Sequence, residues 1–203
     1  MNDKFPLEAA RGKAREIIEA LREHSERIEI AGSIRRAKAW VKDIDLVVVP
    51  KMKSKDALFG TTTAICKTDF YAAVKGILAS MEAEGPRLLR GKIWAGDKLM
   101  PVDLYLATAE TWATLLLIRT GSAEHNIWMC LRAKACGGKL HADGSGLEVR
   151  GQYDVVLQRT VNHHVIRAKT EEEVFKALGI ATPAPEEREC VNGRPVWMRG
   201  ATA

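Results

Sequence analysis

No two cysteines in this chain have the spacing of a metal knuckle or a redox pair. Cys66, Cys130, Cys136 and Cys190 are scattered, none forms a CxxC, and no histidine lies at zinc-finger spacing from them. A zinc ribbon or thioredoxin-like centre is therefore excluded, and reduced structural thiols in a cytosolic setting are expected. Long apolar runs are also missing, and none approaches the ~20 residues that cross a bilayer. The N-terminus is mixed-charge from Asp3 onward, which excludes a signal peptide and predicts a protein that is not secreted. There is no internal repeat and no low-complexity tract. What remains is a globular composition. At 203 residues, with 46% hydrophobic residues, the chain supports a real core in one large domain or two small ones. Its net charge of +5 permits a polyanionic partner without requiring one.

Apolar periodicity orders the first half. Leu7, Ala10, Ala14, Ile17, Ile18 and Leu21 recur at helical spacing, predicting an amphipathic helix over 7–24. Residues 28–31 read as a strand, 33–38 as a short helix and 44–49 as a strand stopped by Pro50. The lysine-bearing segment from Lys51 to Lys67 is weakly patterned and reads as a loop. Phe70, Val74, Ile77, Leu78 and Met81 predict a second helix, ended by Gly85-Pro86. Two strand-like runs follow, Arg87 to Ala95 and Leu99 to Leu106, with a hairpin turn at Gly96-Asp97. This order predicts an α+β unit, a mixed sheet with helices on it, over residues 1–107.

The pattern changes after Ala107. Thr111 to Ile118 and residues 123–136 read as helices broken by Thr120-Gly121-Ser122. Short strands are expected near Leu140, over Leu147 to Arg150, and as strand or loop from Tyr153 to Leu157. Thr170 caps a helix whose first turn is Glu171-Glu172-Glu173 and whose end is Gly179. A smaller α/β subdomain is thus expected over 108–189, with a polar, loosely held tail over 190–203 apart from Trp197. His163-His164 reads as surface loop. Trp94, Trp112 and Trp128 read as packing residues.

Candidate chemistry concentrates between Ile28 and Val49. Gly32 lets the backbone approach a phosphate, and with Ser33 it opens a short helix whose free N–H groups favour anions. Arg36 offers a forked donor set. Asp43 and Asp45 are two apart, so a strand would present both carboxylates on one face. Close carboxylates repel unless a cation lies between them, and hard oxygen donors suit Mg²⁺ or Mn²⁺. Asp103 stands in an otherwise apolar run, where an isolated carboxylate would be expensive. If its strand neighbours that of Asp45, three carboxylates converge. Two ions roughly 3.5–4 Å apart would then clamp an in-line phosphoryl transfer.

These stretches resemble the family X DNA polymerases of the polymerase-beta-like nucleotidyltransferase superfamily. The likeness rests on Gly32-Ser33-Ile34-Arg35-Arg36, Asp43-Ile44-Asp45, Val102-Asp103-Leu104 and the run from Thr120 through Gly121, Ser122 and His125 to Asn126. The helix Thr170 to Gly179, with Pro185-Glu186-Glu187-Arg188 after it, resembles that family's C-terminal subdomain. The resemblance implies a palm over 1–107 and a nascent-base-pair subdomain over 108–189. It implies that Asp43 and Asp45 hold two Mg²⁺ ions, replaceable by Mn²⁺. Asp103 would hold the catalytic ion near the primer 3′-hydroxyl. Gly32, Ser33 and Arg36 would serve the dNTP phosphates, Gly121 and Ser122 the sugar, and Asn126 the minor-groove edge. Arg132 would reach the template strand.

The chain also departs from the family pattern. Ala37 stands where glycine is common, Lys42 precedes the first aspartate, Pro101 lies two before Asp103, and Arg119 precedes Thr120. About thirty residues precede Gly32, fewer than the ~50 of a separate domain. The expectation is a minimal, monomeric, cytoplasmic or viral DNA-directed DNA polymerase without the N-terminal lyase domain, filling short gaps in a primer–template or gapped duplex. The alternative is a template-independent nucleotidyltransferase.

Overall fold

The computed structural model describes residues 3–57, 60–65, 67–149, 152–154, 159–161 and 164–198. The chain divides into two compact units, Met1–Thr108 and Ala109–Ala203.

In the first unit a short strand β1 (Phe5–Pro6) leads into α1 (Leu7–Leu21). Ala10, Ala14, Ile17 and Leu21 form the buried face of α1, as their spacing predicts. Then come β2 (Ser25–Ile30), α2 (Gly32–Arg35), β3 (Trp40–Val41) and β4 (Ile44–Pro50). They are followed by β5 (Met52–Ala57), β6 (Gly60–Ile65), α3 (Lys67–Ile77), β7 (Ser80–Glu84), β8 (Leu88–Ala95) and β9 (Lys98–Leu106). Five strands make one mixed sheet in the order β2-β4-β9-β8-β7. Only the β4–β9 pair is parallel; its neighbours are antiparallel.

Alternation along the strands gives the sheet two chemically different faces. Ile44, Leu46, Val48, Leu89, Ile93, Met100, Val102 and Leu104 pack with α1 and α3 in one core. Each fully buried Leu or Ile there contributes about 1.5–3 kcal/mol. The intervening residues, among them Asp45, Arg90, Lys92 and Asp103, fall on the opposite face.

Three expectations are corrected here. The segment read as a loop from Lys51 to Lys67 contains the β5–β6 hairpin, in register from Met52 opposite Ile65 to Ala57 opposite Gly60. The helix read through Met81 ends at Ile77, and Ser80–Glu84 is the edge strand of the sheet. Trp94 is 55% exposed and is not a core residue. Cys66 and His163 lie outside the described residues, as do the side chains of Lys53 and Lys55.

The second unit opens with α4 (Trp112–Thr120) and α5 (Ala123–Ala135). Next are β10 (Gly138–Leu140), β11 (Leu147–Val149), β12 (Gln152–Asp154), β13 (Arg159–Val161) and β14 (His164–Ile166). Strands β10, β11 and β14 form an antiparallel sheet, while β12 and β13 form a separate hairpin. Helix α6 (Glu171–Ala177) begins where the sequence predicts. Thr170 Oγ1 accepts the Glu173 N–H at 3.3 Å, and Glu173 Oε2 accepts the Lys169 N–H at 2.7 Å. The segment read as a loose tail instead pairs β15 (Cys190–Val191) with β16 (Arg194–Pro195). Trp197 then packs on His125 at 5.2 Å and edge-on to Trp128 at 5.6 Å between ring centroids.

Candidate active site

Parallel pairing of β4 with β9 sets Asp45 directly beside Asp103. In a parallel ladder, residues in register share a face, so both carboxylates stand on the side away from α1 and α3. Asp43 precedes β4 by one residue. Burial pushes its carboxyl above the usual carboxylate range, and the negative charge of Asp103 pushes it further. Lys42, Arg90 and Arg36 pull it back down. The positive charges of Arg36 and Arg90 are therefore felt at Asp43.

The turn before the carboxylates is built around Gly32. The Ala31 N–H donates to the Asp45 carbonyl at 2.8 Å, tying the turn to β4. Gly32 has φ +58°, and an added Cβ would overlap the Asp45 carboxylate. Glycine is thus required twice, for the left-handed backbone and for the close approach of Asp45. Ser33 Oγ is buried with no hydrogen-bond partner. Ala37 adopts φ +53°, which leaves this chain with a strained alanine in the left-handed region.

Arg90 is a residue that sequence reasoning missed. Its Nε donates to Asp103 Oδ1 at 2.7 Å and its Nη2 to Oδ2 at 2.7 Å. The Tyr105 hydroxyl donates to Oδ2 at 3.0 Å. A signal was present: the two-residue turn at Gly96-Asp97 pairs Ala95 with Lys98 and, further along, Arg90 with Asp103. Asp103 is thus not an isolated buried carboxylate, although it is only 6% exposed.

The donor set suits a hard divalent cation: three carboxylates on or just before the paired strands β4 and β9, with no sulfur or imidazole among them. The charge crowding at Asp43 is what such an ion relieves. As the side chains stand, no group of three His, Cys, Asp or Glu residues is gathered around one point among the described residues. A cavity of about 240 Å³ borders Asp43, walled by Lys42, Lys92, Phe5, Leu99, Pro101 and Asp3.

The raised position of Asp43 has a thermodynamic sign. A carboxyl held above its unfolded value is neutral in both states at low pH, and stability is lost as pH rises through the folded value. Asp43→Asn should therefore raise the melting temperature of the metal-free protein at pH 8 and change it little near pH 4. Calorimetry across that range measures the difference. No gain at pH 8 would contradict the crowding.

In the second unit, Ser122 caps α5 by accepting the His125 N–H at 3.1 Å, and its own N–H donates to the Arg188 carbonyl at 3.2 Å. A Cβ on Gly121 would press on the His125 ring and the Asn126 Oδ1. Asn126 Nδ2 donates to the Ile118 carbonyl at 2.6 Å, bracing the α4–α5 turn. Arg132 Nε donates to the Leu178 carbonyl at 3.0 Å, near the end of α6. Gly121, Ser122 and Asn126 are thus gathered in one turn, whereas Arg132 is engaged elsewhere in the unit. Arg188 is 2% exposed; it pairs with Glu171 at 2.5 Å and lies 5.1 Å over the Phe175 ring.

Such a mixed sheet, followed by a smaller helix-and-strand unit, matches the α+β fold of polymerase beta. Two structures of Leishmania infantum polymerase beta match it. The ternary P/T complex has TM-score 0.72 at 20% identity, covering 93% of this chain and 78% of that one. The ternary gap complex has TM-score 0.73 at 21% identity, covering 93% and 72%. The DNA polymerase beta thumb family matches residues 115–189. The DNA polymerase/3′-5′ exonuclease PolX of Bacillus subtilis is 28% identical over 192 residues. That match takes in 92% of this chain but only 29% of the relative's length. The chain is thus similar in fold to polymerase beta, and in sequence to PolX and, over residues 115–189, to the polymerase beta thumb. Among the described residues no helix is long and apolar enough to cross a membrane.

Proposed function

We propose that the chain is a DNA-directed DNA polymerase, joining a dNTP to a primer 3′-hydroxyl in short-gap repair. The observation that carries this reading is the register that sets Asp45 beside Asp103, with Asp43 two residues before Asp45. In this reading Asp43, Asp45 and Asp103 would hold the Mg²⁺ ions. The ions supply Lewis-acid stabilisation of the attacking and leaving oxygens and of the triphosphate charge. The rest falls to the chain's own groups. Ser33 Oγ, buried without a partner, donates to a phosphate oxygen, and Arg36 adds a fixed positive charge beside it. The cavity beside Asp43, with Lys42 and Lys92 in its wall, suits the sugar-phosphate of the primer end. The polymerase beta neighbours, which are primer–template and gap complexes, support DNA and dNTP as partners.

The test is extension of a gapped duplex with dNTPs and Mg²⁺, abolished by chelation and restored by Mg²⁺ or Mn²⁺. Extension that persists in chelator would refute it. Gly32→Ala should lower this activity about a hundredfold, because its Cβ displaces the Asp45 carboxylate by about an ångström. Steady-state kinetics at saturating Mg²⁺ measures the loss, and an unimpaired variant would contradict the geometry.

A template-independent transferase is the second reading. One observation favours it: the Asn126 amide is committed to the Ile118 carbonyl, not held free for a base edge.

A further inference from the structure

We propose that Arg90 is a resident counter-cation on Asp103, which a divalent ion must displace to engage that carboxylate. The inference rests on the polymerase reading above and deepens it at one residue.

The fork is complete. Nε and Nη2 each meet a different Asp103 oxygen at 2.7 Å, and the Tyr105 hydroxyl takes Oδ2 as well. A bidentate guanidinium–carboxylate pair is among the stronger hydrogen-bonded contacts and directional enough to fix the plane of the carboxylate. It accounts for a discrepancy in the site. Backbone register sets Asp45 and Asp103 side by side, yet the acidic side chains are not gathered around one point. Asp103 is turned to Arg90.

The two partners differ in freedom. Asp103 is 6% exposed in the middle of the sheet, whereas the Arg90 side chain is 47% exposed. The aspartate cannot leave, but the guanidinium can withdraw toward water at small desolvation cost. Arg90 thus supplies one positive charge to a carboxylate cluster that would otherwise repel itself. A divalent ion supplies two and takes its place. The same residue that offsets the charge of Asp103 without metal raises the concentration of metal needed to load the site. Lys92, the next residue on that face of β8, is paired with Glu82 at 2.6 Å and offers no substitute charge to Asp103.

The experiment is Mn²⁺ binding to the full chain without DNA or nucleotide, read by the electron paramagnetic resonance of free Mn²⁺. It compares wild type, Arg90→Gln and Arg90→Lys. Arg90→Gln should bind Mn²⁺ about tenfold more tightly, the effect of removing one positive charge about 6 Å from a divalent ion in a water-like dielectric. Arg90→Lys, which keeps the charge but loses the fork, should fall between. Thermal melts add a second readout: metal-free Arg90→Gln should melt lower than wild type, and saturating Mn²⁺ should close the gap. Equal or weaker Mn²⁺ binding by Arg90→Gln would overturn the proposal. If wild type still extends primers in that case, the polymerase reading survives and only the Arg90 role falls. Absence of both Mn²⁺ binding and extension in wild type would overturn both.

Discussion

Asp103→Ala should lower nucleotide incorporation by at least about a thousandfold while leaving DNA affinity within a few-fold of wild type. The size follows from the role. A carboxylate that holds the metal near the attacking hydroxyl contributes several kcal/mol of transition-state stabilisation, and each 1.36 kcal/mol is tenfold in rate. Binding should be spared, because affinity for a nucleic acid comes mainly from cationic contacts to phosphates, and one aspartate supplies none. Folding should also be spared. The Arg90 guanidinium released by the substitution is 47% exposed and can hydrate in place, and the charge crowding at Asp43 falls. Single-turnover incorporation and a binding titration on the same gapped duplex measure the two quantities. Substantial activity in Asp103→Ala would remove the assignment of the metal-holding carboxylates.

Arg188→Ala should destabilise the second unit by about 3–5 kcal/mol. Arg188 is 2% exposed, donates to the Pro183 carbonyl at 3.3 Å, pairs with Glu171 and covers the Phe175 ring. Removing it takes a buried cation away from the Glu171 carboxylate, itself 12% exposed. The loss of that buried charge pairing, with the contacts to Pro183 and Phe175, is the cost. A melting-temperature drop of roughly 10 °C or more is expected. Glu171→Gln in the Arg188→Ala background should recover part of it, since the carboxylate charge is then gone. The Arg188 carbonyl also accepts the Ser122 N–H, so the Thr120-Gly121-Ser122 turn should lose protection in amide exchange. A drop below about 1 kcal/mol would mean that the pair is dispensable.

Much of this architecture is legible in the residues because it obeys simple periods. The buried stripe of α1, the apolar run of β4 and the hairpin of β8 and β9 appear at helical or strand spacing. The capped start of α6 is written in Thr170 and the three glutamates after it. The β5–β6 hairpin was not legible. Its register sets Lys53 opposite Ala64, Ser54 opposite Thr63, Lys55 opposite Thr62 and Asp56 opposite Thr61, so the sequence of neither strand carries the apolar alternation that marks a strand. The edge strand β7 was absorbed into α3, because Met81 continues the helical spacing from Ile77 and Leu78 whether or not the helix does.

The site divides in the same way. Asp43 and Asp45 are visible because a two-residue period is local. Asp103 is visible because a charge in an apolar run demands an explanation. Arg90 was hidden because its partner lies across a hairpin. Only the register set by Gly96-Asp97 brings the two together. The roles of Ser122 and Asn126 could not be read from spacing at all. Both spend hydrogen bonds inside their own turn, and only the fold reveals which carbonyl and which N–H they meet.

The most direct test is primer extension on gapped duplexes carrying each of the four template bases in turn, with Mg²⁺, beside the same primer without a template strand. The expected result is incorporation of the complementary dNTP opposite each base and little addition without template. Additions that ignore the template base, or that proceed equally well on the single strand, would contradict it.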